Sequence, residues 1–231
     1  MVTKDRAETV IRPARLKMSY EEYTDWVADN MHAEWHKGEV IVFMPPKYVH
    51  QTTVKFLLGL LGLFVDMFAL GKIQVAPFEM KLPQQDSYRE PDILFVANEN
   101  LNRLTEDRLE GPADLVIEIV SEHTVHNDRD DKYKEYQAAG VREYWIIDPR
   151  LDKQRADFYS LDETGLYSLF ATEDDERVES KVLSGFWLRP DWLWQADTLN
   201  PLLAFFQMRG LSDEQIAQIE QLLQAGGTDR E

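Results

Sequence analysis

Three charged residues occupy positions where apolar residues would cost less. In "ADLVIEIVS", residues 113–121, Glu118 interrupts a run that reads as a strand buried on both faces. A lone ionised carboxylate there is expensive unless it is paired, protonated or bound to a cation. Asp92 opens another strand, "PDILFV", directly after Pro91, and Lys132 lies in the helical stretch "DRDDKYKEYQAAGV" at 128–141. Strand side chains alternate, so Leu115, Ile117 and Ile119 share one face, and Asp114, Val116, Glu118 and Val120 the other. If the two strands are neighbours, Asp92 and Glu118 share a sheet face near one end. Two close carboxylates repel, a divalent cation relieves the repulsion, and an all-oxygen pair suits Mg²⁺ or Mn²⁺. Lys132 and Lys134 stand about 200° apart around a helix, so only one can face the sheet. Lys132 shares its side with Tyr136 and Lys134 points toward Gln137 and Ala138, which selects Lys132.

Each residue also has a plainer reading. Glu118 could be half of a structural ion pair with Lys132 or an arginine. Asp92 alone would pass for a turn residue and Lys132 alone for a snorkelling surface lysine.

The elements that must hold these residues follow from periodicity and turn chemistry. "SYEEYTDWVADNM" at 19–31 carries a capping box and reads as a short helix. "EWHKGEVIVFMP" at 34–45 reads as a hairpin turning at Gly38. The main helix is expected over 50–71, ending at Gly71. A strand kinked at Pro77 is expected over 72–82, then a polar turn, "QQDSYRE". The strands at 91–96 and 113–121 follow, then the 128–141 helix ending at Gly140 and a strand, "EYWIID", at 143–148. Two hairpin-like segments, "QRADFYSL" and "GLYSLF", precede a Trp-rich stretch at 185–195 with Trp187, Trp192 and Trp194. That stretch could stack bases, close a small core or meet a partner. The tail helix at 211–224 has a capping box at Ser212 and Gln215 and one apolar stripe. The fold class is α/β, a mixed α+β sheet with strands on both sides of a helix.

Composition narrows the function. The chain has 231 residues, no cysteine and a net charge of −17. Disulfide and thiolate chemistry are excluded. Residues 1–150 carry −8 and residues 151–231 carry −9, so neither part is basic. That argues against sequence-independent coating of nucleic acid, but not against a nuclease with a local metal site. The apolar stretch at 54–70 is short for a membrane span and contains Lys55 and Asp66, so it reads as a core helix. With no apolar leader at the start, a cytoplasmic protein without membrane attachment is expected.

The ordered motifs carry a specific likeness. They are "EWHKGEVIVFMPP" with His50 after it, "APFEMKL", "EPDILFV", "GPADLVIEIVS" with Thr124, and "DRDDKYKEYQAAGVREYWIIDP". Over roughly residues 19–197 the sequence resembles the Uma-two family of restriction-type endonucleases in the PD-(D/E)XK nuclease superfamily. The resemblance implies a restriction-endonuclease-like core with an N-terminal β-hairpin and a C-terminal β/helical extension. Residues 1–18 would be a tail, 19–197 the nuclease-like domain and 198–231 a helical extension. It implies a divalent metal, Mg²⁺ or Mn²⁺, held by Asp92, Glu118 and the Ile119 backbone carbonyl. Lys132 would orient or activate the attacking water and stabilise charge at the phosphate. Glu34, His50 and Glu79 match recurrent family positions and would be further ligands or orienting groups. The superfamily's usual lysine, two residues after the acid, is Val120 here, with the lysine moved to the next helix. "SEHT" at 121–124 replaces the family's frequent Ser-Pro-Ser-Thr, so an altered loop beside the site is expected.

The resemblance thus implies a metal-dependent endonuclease acting on nucleic acid, DNA above all, as a homodimer with two sites for two strands. The alternative is an inactive nuclease-fold protein serving as a binding or assembly module. The −17 charge, Val120 and the tail helix favour it.

Overall fold

The computed structural model describes residues 14–27 and 31–225. In chain order, β1 (Ala14–Lys17) precedes α1 (Tyr20–Trp26), and β2 (Ala33–His36) turns into β3 (Glu39–Val42). Helix α2 (Tyr48–Phe68) leads to β4 (Gly71–Val75). Then come β5 (Glu79–Leu82), β6 (Ser87–Arg89), β7 (Ile93–Ala97), β8 (Arg108–Glu110) and β9 (Leu115–Ile119). Helix α3 (Lys132–Ala139) crosses to β10 (Glu143–Asp148), followed by β11 (Arg155–Leu161) and β12 (Tyr167–Thr172). A short ladder of β13 (Val178–Glu179) and β14 (Trp187–Leu188) leads to α4 (Asp191–Trp194), α5 (Pro201–Met208) and α6 (Asp213–Ala225).

Two six-stranded mixed sheets carry the fold. The central one has the order β12-β11-β10-β9-β7-β4. Its β9 and β10 are parallel, joined by the α3 crossover that such a pair requires. The other sheet has the order β1-β3-β2-β6-β5-β8. Alternation on β9 falls as the pattern demands. Leu115, Ile117 and Ile119 join the α2 residues Phe56, Leu60 and Phe64 in the main core, while Val116 and Val120 pack with Tyr136 of α3 on the opposite face.

Helix α2 is long and apolar enough to cross a membrane by length and composition. Here its apolar side covers the central sheet, as expected of a core helix. It stops earlier than Gly71 suggests, because Ala69 takes the left-handed capping conformation at φ 50°. Gly71 instead opens β4, where an added Cβ would stand 2.1 Å from the Val96 carbonyl oxygen. The expected kinked strand over 72–82 is two strands in different sheets, parted at Pro77. The expected polar turn contains β6, whose Arg89 is fully buried. Helix α5 carries no strong sequence signal, yet buries Ala204, Phe205 and Met208 in the main core. Trp192 also lies in that core, so the Trp-rich stretch closes it. The capping boxes at Ser19 and Ser212 both form.

Candidate active site

Strand pairing fixes the two acids. The β7–β9 register runs Ile93↔Ile117, Leu94↔Val116 and Phe95↔Leu115, so one residue further it sets Asp92 opposite Glu118. The Ile119 N–H donates to Asp92 Oδ2 at 2.7 Å. His50, in the first turn of α2, holds the same oxygen at 3.2 Å. Burial lowers the His50 pKa, but the hydrogen bond and charge of Asp92 outweigh it and the net shift is upward.

Helix α3 brings the lysine. Before it, Asn127–Asp131 form a wide turn in which the Lys132 N–H reaches the Asn127 carbonyl five residues back. Such a bulge rotates the following helix face, and both Asp128 and Lys132 end up buried. Lys132 Nζ lies 2.7 Å from Glu118 Oε1, 2.8 Å from Glu34 Oε1 and 4.0 Å from Asp128 Oδ1. Tyr136, one turn on, donates to the same Glu118 oxygen at 2.8 Å. Lys134 points outward to Asp130.

The second sheet supplies the frame. The β2–β6 register, Trp35↔Tyr88 and His36↔Ser87, continues to set Glu34 opposite Arg89. Arg89 donates to Glu34 at 2.9 Å and to Glu135 at 2.6 Å. Glu34 therefore spans two buried cations, and Lys132 and Arg89 overcome burial to hold its pKa low. Glu34 is among the further ligands or orienting groups that the family resemblance implies. It is 1% exposed. Glu79 stands apart, bonded to Tyr20 and Arg108.

A pocket of about 30 Å³ is lined by Glu90, Asp92, Glu118, Asp128 and Lys132, with His32 and His50. That is room for an ion or one or two waters. Four carboxyl groups there meet one ammonium, and the pKa values of Asp128, Glu90 and Glu118 rise. Burial pushes Asp128 up to about 7 and Glu90 up to about 8, and Glu118 well above the usual carboxylate range. Sequence reading did not single out Asp128, Glu90, His32 or Arg89. The signal for Asp128 was its spacing four residues before Lys132 on a charged helix start, which ordinarily marks a solvated first turn.

Another acidic group brings ligand atoms within 4.8 Å of one another: His126, Asp130 and Asp131, outside the pocket. There Lys134 and Arg15 already neutralise the two aspartates.

The mixed sheet, crossover helix and acid–lysine cluster describe a nuclease-like α/β fold. The chain belongs to the Uma2 family, described as "Putative restriction endonuclease", whose model matches residues 20–191. It is also similar to a crystal structure from Anabaena variabilis described as "a putative nuclease belonging to DUF820". The TM-score is 0.62 at 17% identity, over 76% of this chain and 97% of that one. No protein of curated function matches.

Proposed function

We propose that this protein is a divalent-metal-dependent endonuclease that hydrolyses phosphodiester bonds in DNA, with Asp92, Glu118 and Lys132 as its working groups. One observation carries the reading: four carboxyl groups share a 30 Å³ pocket with a single ammonium. That excess of hard oxygen donors fits Mg²⁺ or Mn²⁺. Asp92, Glu118 and the Ile119 carbonyl would hold the ion, which would supply Lewis-acid polarisation and charge neutralisation at the phosphate.

The remaining steps belong to the side chains. Lys132 is desolvated, but Glu118, Glu34 and Asp128 outweigh that and raise its pKa. It therefore keeps its proton and works as a charge and hydrogen-bond donor, orienting water and stabilising the phosphate in the transition state. Tyr136 fixes Glu118, and His50 fixes Asp92. Glu34, clamped by Arg89, sets the position of the ammonium.

The test is Mn²⁺ titration by calorimetry on wild type and Glu118→Ala, followed by incubation with plasmid and single-stranded DNA. Binding and cleavage in wild type, both lost in the variant, are expected. A second reading is favoured by the 2.7 Å Lys132–Glu118 pair: a nuclease-fold binding or assembly module in which that pair is purely structural. Wild type that binds no Mn²⁺ and cuts nothing would replace the enzyme reading with that one.

A further inference from the structure

We propose that the substrate strand enters unpaired: the cleft in front of the carboxylate pocket takes single-stranded DNA, with one nucleotide against the Phe43 ring, in preference to intact duplex. The inference rests on the nuclease reading above and adds the form of the nucleic acid.

Space is the first ground. The cleft measures about 310 Å³ and shares His32, Phe43, His50, Asp92 and Thr124 with the smaller pocket behind it. That is the low end of small-ligand sites, enough for a nucleotide but not for a base-paired helix. Depth is the second ground. Glu118 and Lys132 are each 3% exposed. A phosphate on the outside of a duplex does not reach groups so deep. A phosphate on a flexible unpaired strand can.

The wall is the third ground. Phe43 is half-buried, its ring lies 4.8 Å from that of His32 at 33°, and Lys132 Nζ stands 5.9 Å from its centroid. Its N–H donates to the His32 carbonyl at 3.0 Å, so the ring stands on a fixed backbone. Met44 beside it is 62% exposed, and Pro46 and Pro77 also line the cleft. The exposed part of the ring offers any base an aromatic contact without reading its sequence. Charge is the fourth ground. Among the described residues lining the cleft there is no lysine or arginine, and Lys47 near its mouth is paired with Glu122. Duplex affinity is built on neutralising many phosphates. Single-strand affinity draws less on that contribution and more on contacts with the bases, so a cleft without basic lining disfavours it less. A substrate taken one strand at a time also removes the duplex argument for two paired sites.

Fluorescence anisotropy tests this with labelled oligodeoxythymidylate and with the same strand paired to oligodeoxyadenylate. It is run in Ca²⁺ and again in EDTA at one low salt concentration. Single strands should bind at least about tenfold tighter than duplex. Phe43→Ala should lose about tenfold in single-strand affinity, and Phe43→Trp should retain it. Thermal melts establish that each variant is folded. If Phe43→Ala is not, Met44→Ala, at an exposed position, should show a smaller loss of the same kind. Equal or tighter duplex binding in both conditions, or binding to neither probe, overturns the proposal. Mn²⁺-dependent cleavage without preference for single strands also overturns it while leaving the nuclease reading intact. Failure of Mn²⁺ to bind sinks the nuclease reading, and the anisotropy still decides this one.

Discussion

Lys132 Nζ lies 2.7 Å from Glu118 Oε1, with both residues 3% exposed between α3 and β9. The ammonium is itself the internal counter-ion of a pocket that holds more acid than base. Glu34 and Asp128 reach the same nitrogen from β2 and from the turn before α3. Any change to one member therefore leaves the others buried and incompletely paired.

The first consequence is strong coupling. Lys132→Met should destabilise the protein by about 3–5 kcal/mol at pH 8, because it strands buried carboxylates. Adding Glu118→Gln should return part of that loss, since fewer charges are then left unpaired. Urea unfolding of the wild type, both single variants and the double variant measures the cycle. Simple additivity would mean that the pair does not act as a unit.

The pH dependence follows from the same excess of acid. Asp128 and Glu90 have folded pKa values raised to about 7 and about 8 by burial. Between their unfolded values, near pH 4, and those folded values, the native state holds protons that the unfolded chain has released. Stability should therefore fall as pH rises from about 4 to 8, by up to about 1.4 kcal/mol per pH unit for each such proton. Glu135, held down to about 2 against burial by His36 and Arg89, acts in the opposite sense and loses its contribution only as pH falls below about 4. Thermal melts in EDTA across this range should show the decline, and Asp128→Asn should flatten it. A wild-type profile rising from pH 5 to 8 would contradict the assignment.

Added metal should oppose that decline. At an Mn²⁺ concentration about a hundredfold above Kd, mass action contributes about 2.7 kcal/mol. For a chain of 231 residues that corresponds to a Tm rise of roughly 5–10 °C. The rise should be larger at pH 8 than at pH 6, where protons compete for the same carboxylates. Asp92→Ala should abolish it, and an unchanged response in that variant would place the ion elsewhere, with the surface group His126, Asp130 and Asp131 the first place to look.

Much of this site was legible in the sequence because its logic is local. Alternation gave the facing of Glu118, and helical spacing chose Lys132 over Lys134, as the structure places them. The frame was less legible because it is cross-strand. Nothing near Arg89 in "QQDSYRE" announces a strand, and only its pairing opposite Glu34 buries it. The end of helix α2 is hard to read from sequence for a similar reason. Gly71 serves a close approach to β7 and not the helix cap, a requirement that residues far away in sequence impose. Helix α5 gave no signal because its role is to fill space against α2 and not to display an amphipathic pattern.

Gly71 can be tested directly. Gly71→Ala would set a Cβ 2.1 Å from the Val96 carbonyl oxygen and 2.9 Å from the Phe95 ring. Both belong to β7, the strand that Asp92 precedes. The substitution should cost about 3 kcal/mol, since overpacking against backbone is not relieved by a rotamer change. It should also weaken Mn²⁺ binding by disturbing the β7–β9 register. Calorimetry on the variant separates the two effects, and unchanged stability would show that β4 can shift away without cost.

The docking of α5 can be judged in the same way. Gly59 of α2 lets Pro201, the first residue of α5, come close. A Cβ on Gly59 would stand 2.8 Å from Pro201 Cγ and 3.1 Å from its Cβ. Replacing a mid-helix glycine by alanine ordinarily gains up to about 1 kcal/mol. Here the proline ring has no rotamer by which to retreat, so Gly59→Ala should be net destabilising. Phe205→Ala, emptying a buried position in the shared core, should cost about 3–5 kcal/mol. If both variants unfold at lower urea in a single transition seen alike by tryptophan fluorescence and circular dichroism, α5 is part of the nuclease-like core. A separate early transition confined to the variants would instead make residues 198–231 an appendage that the domain can lose.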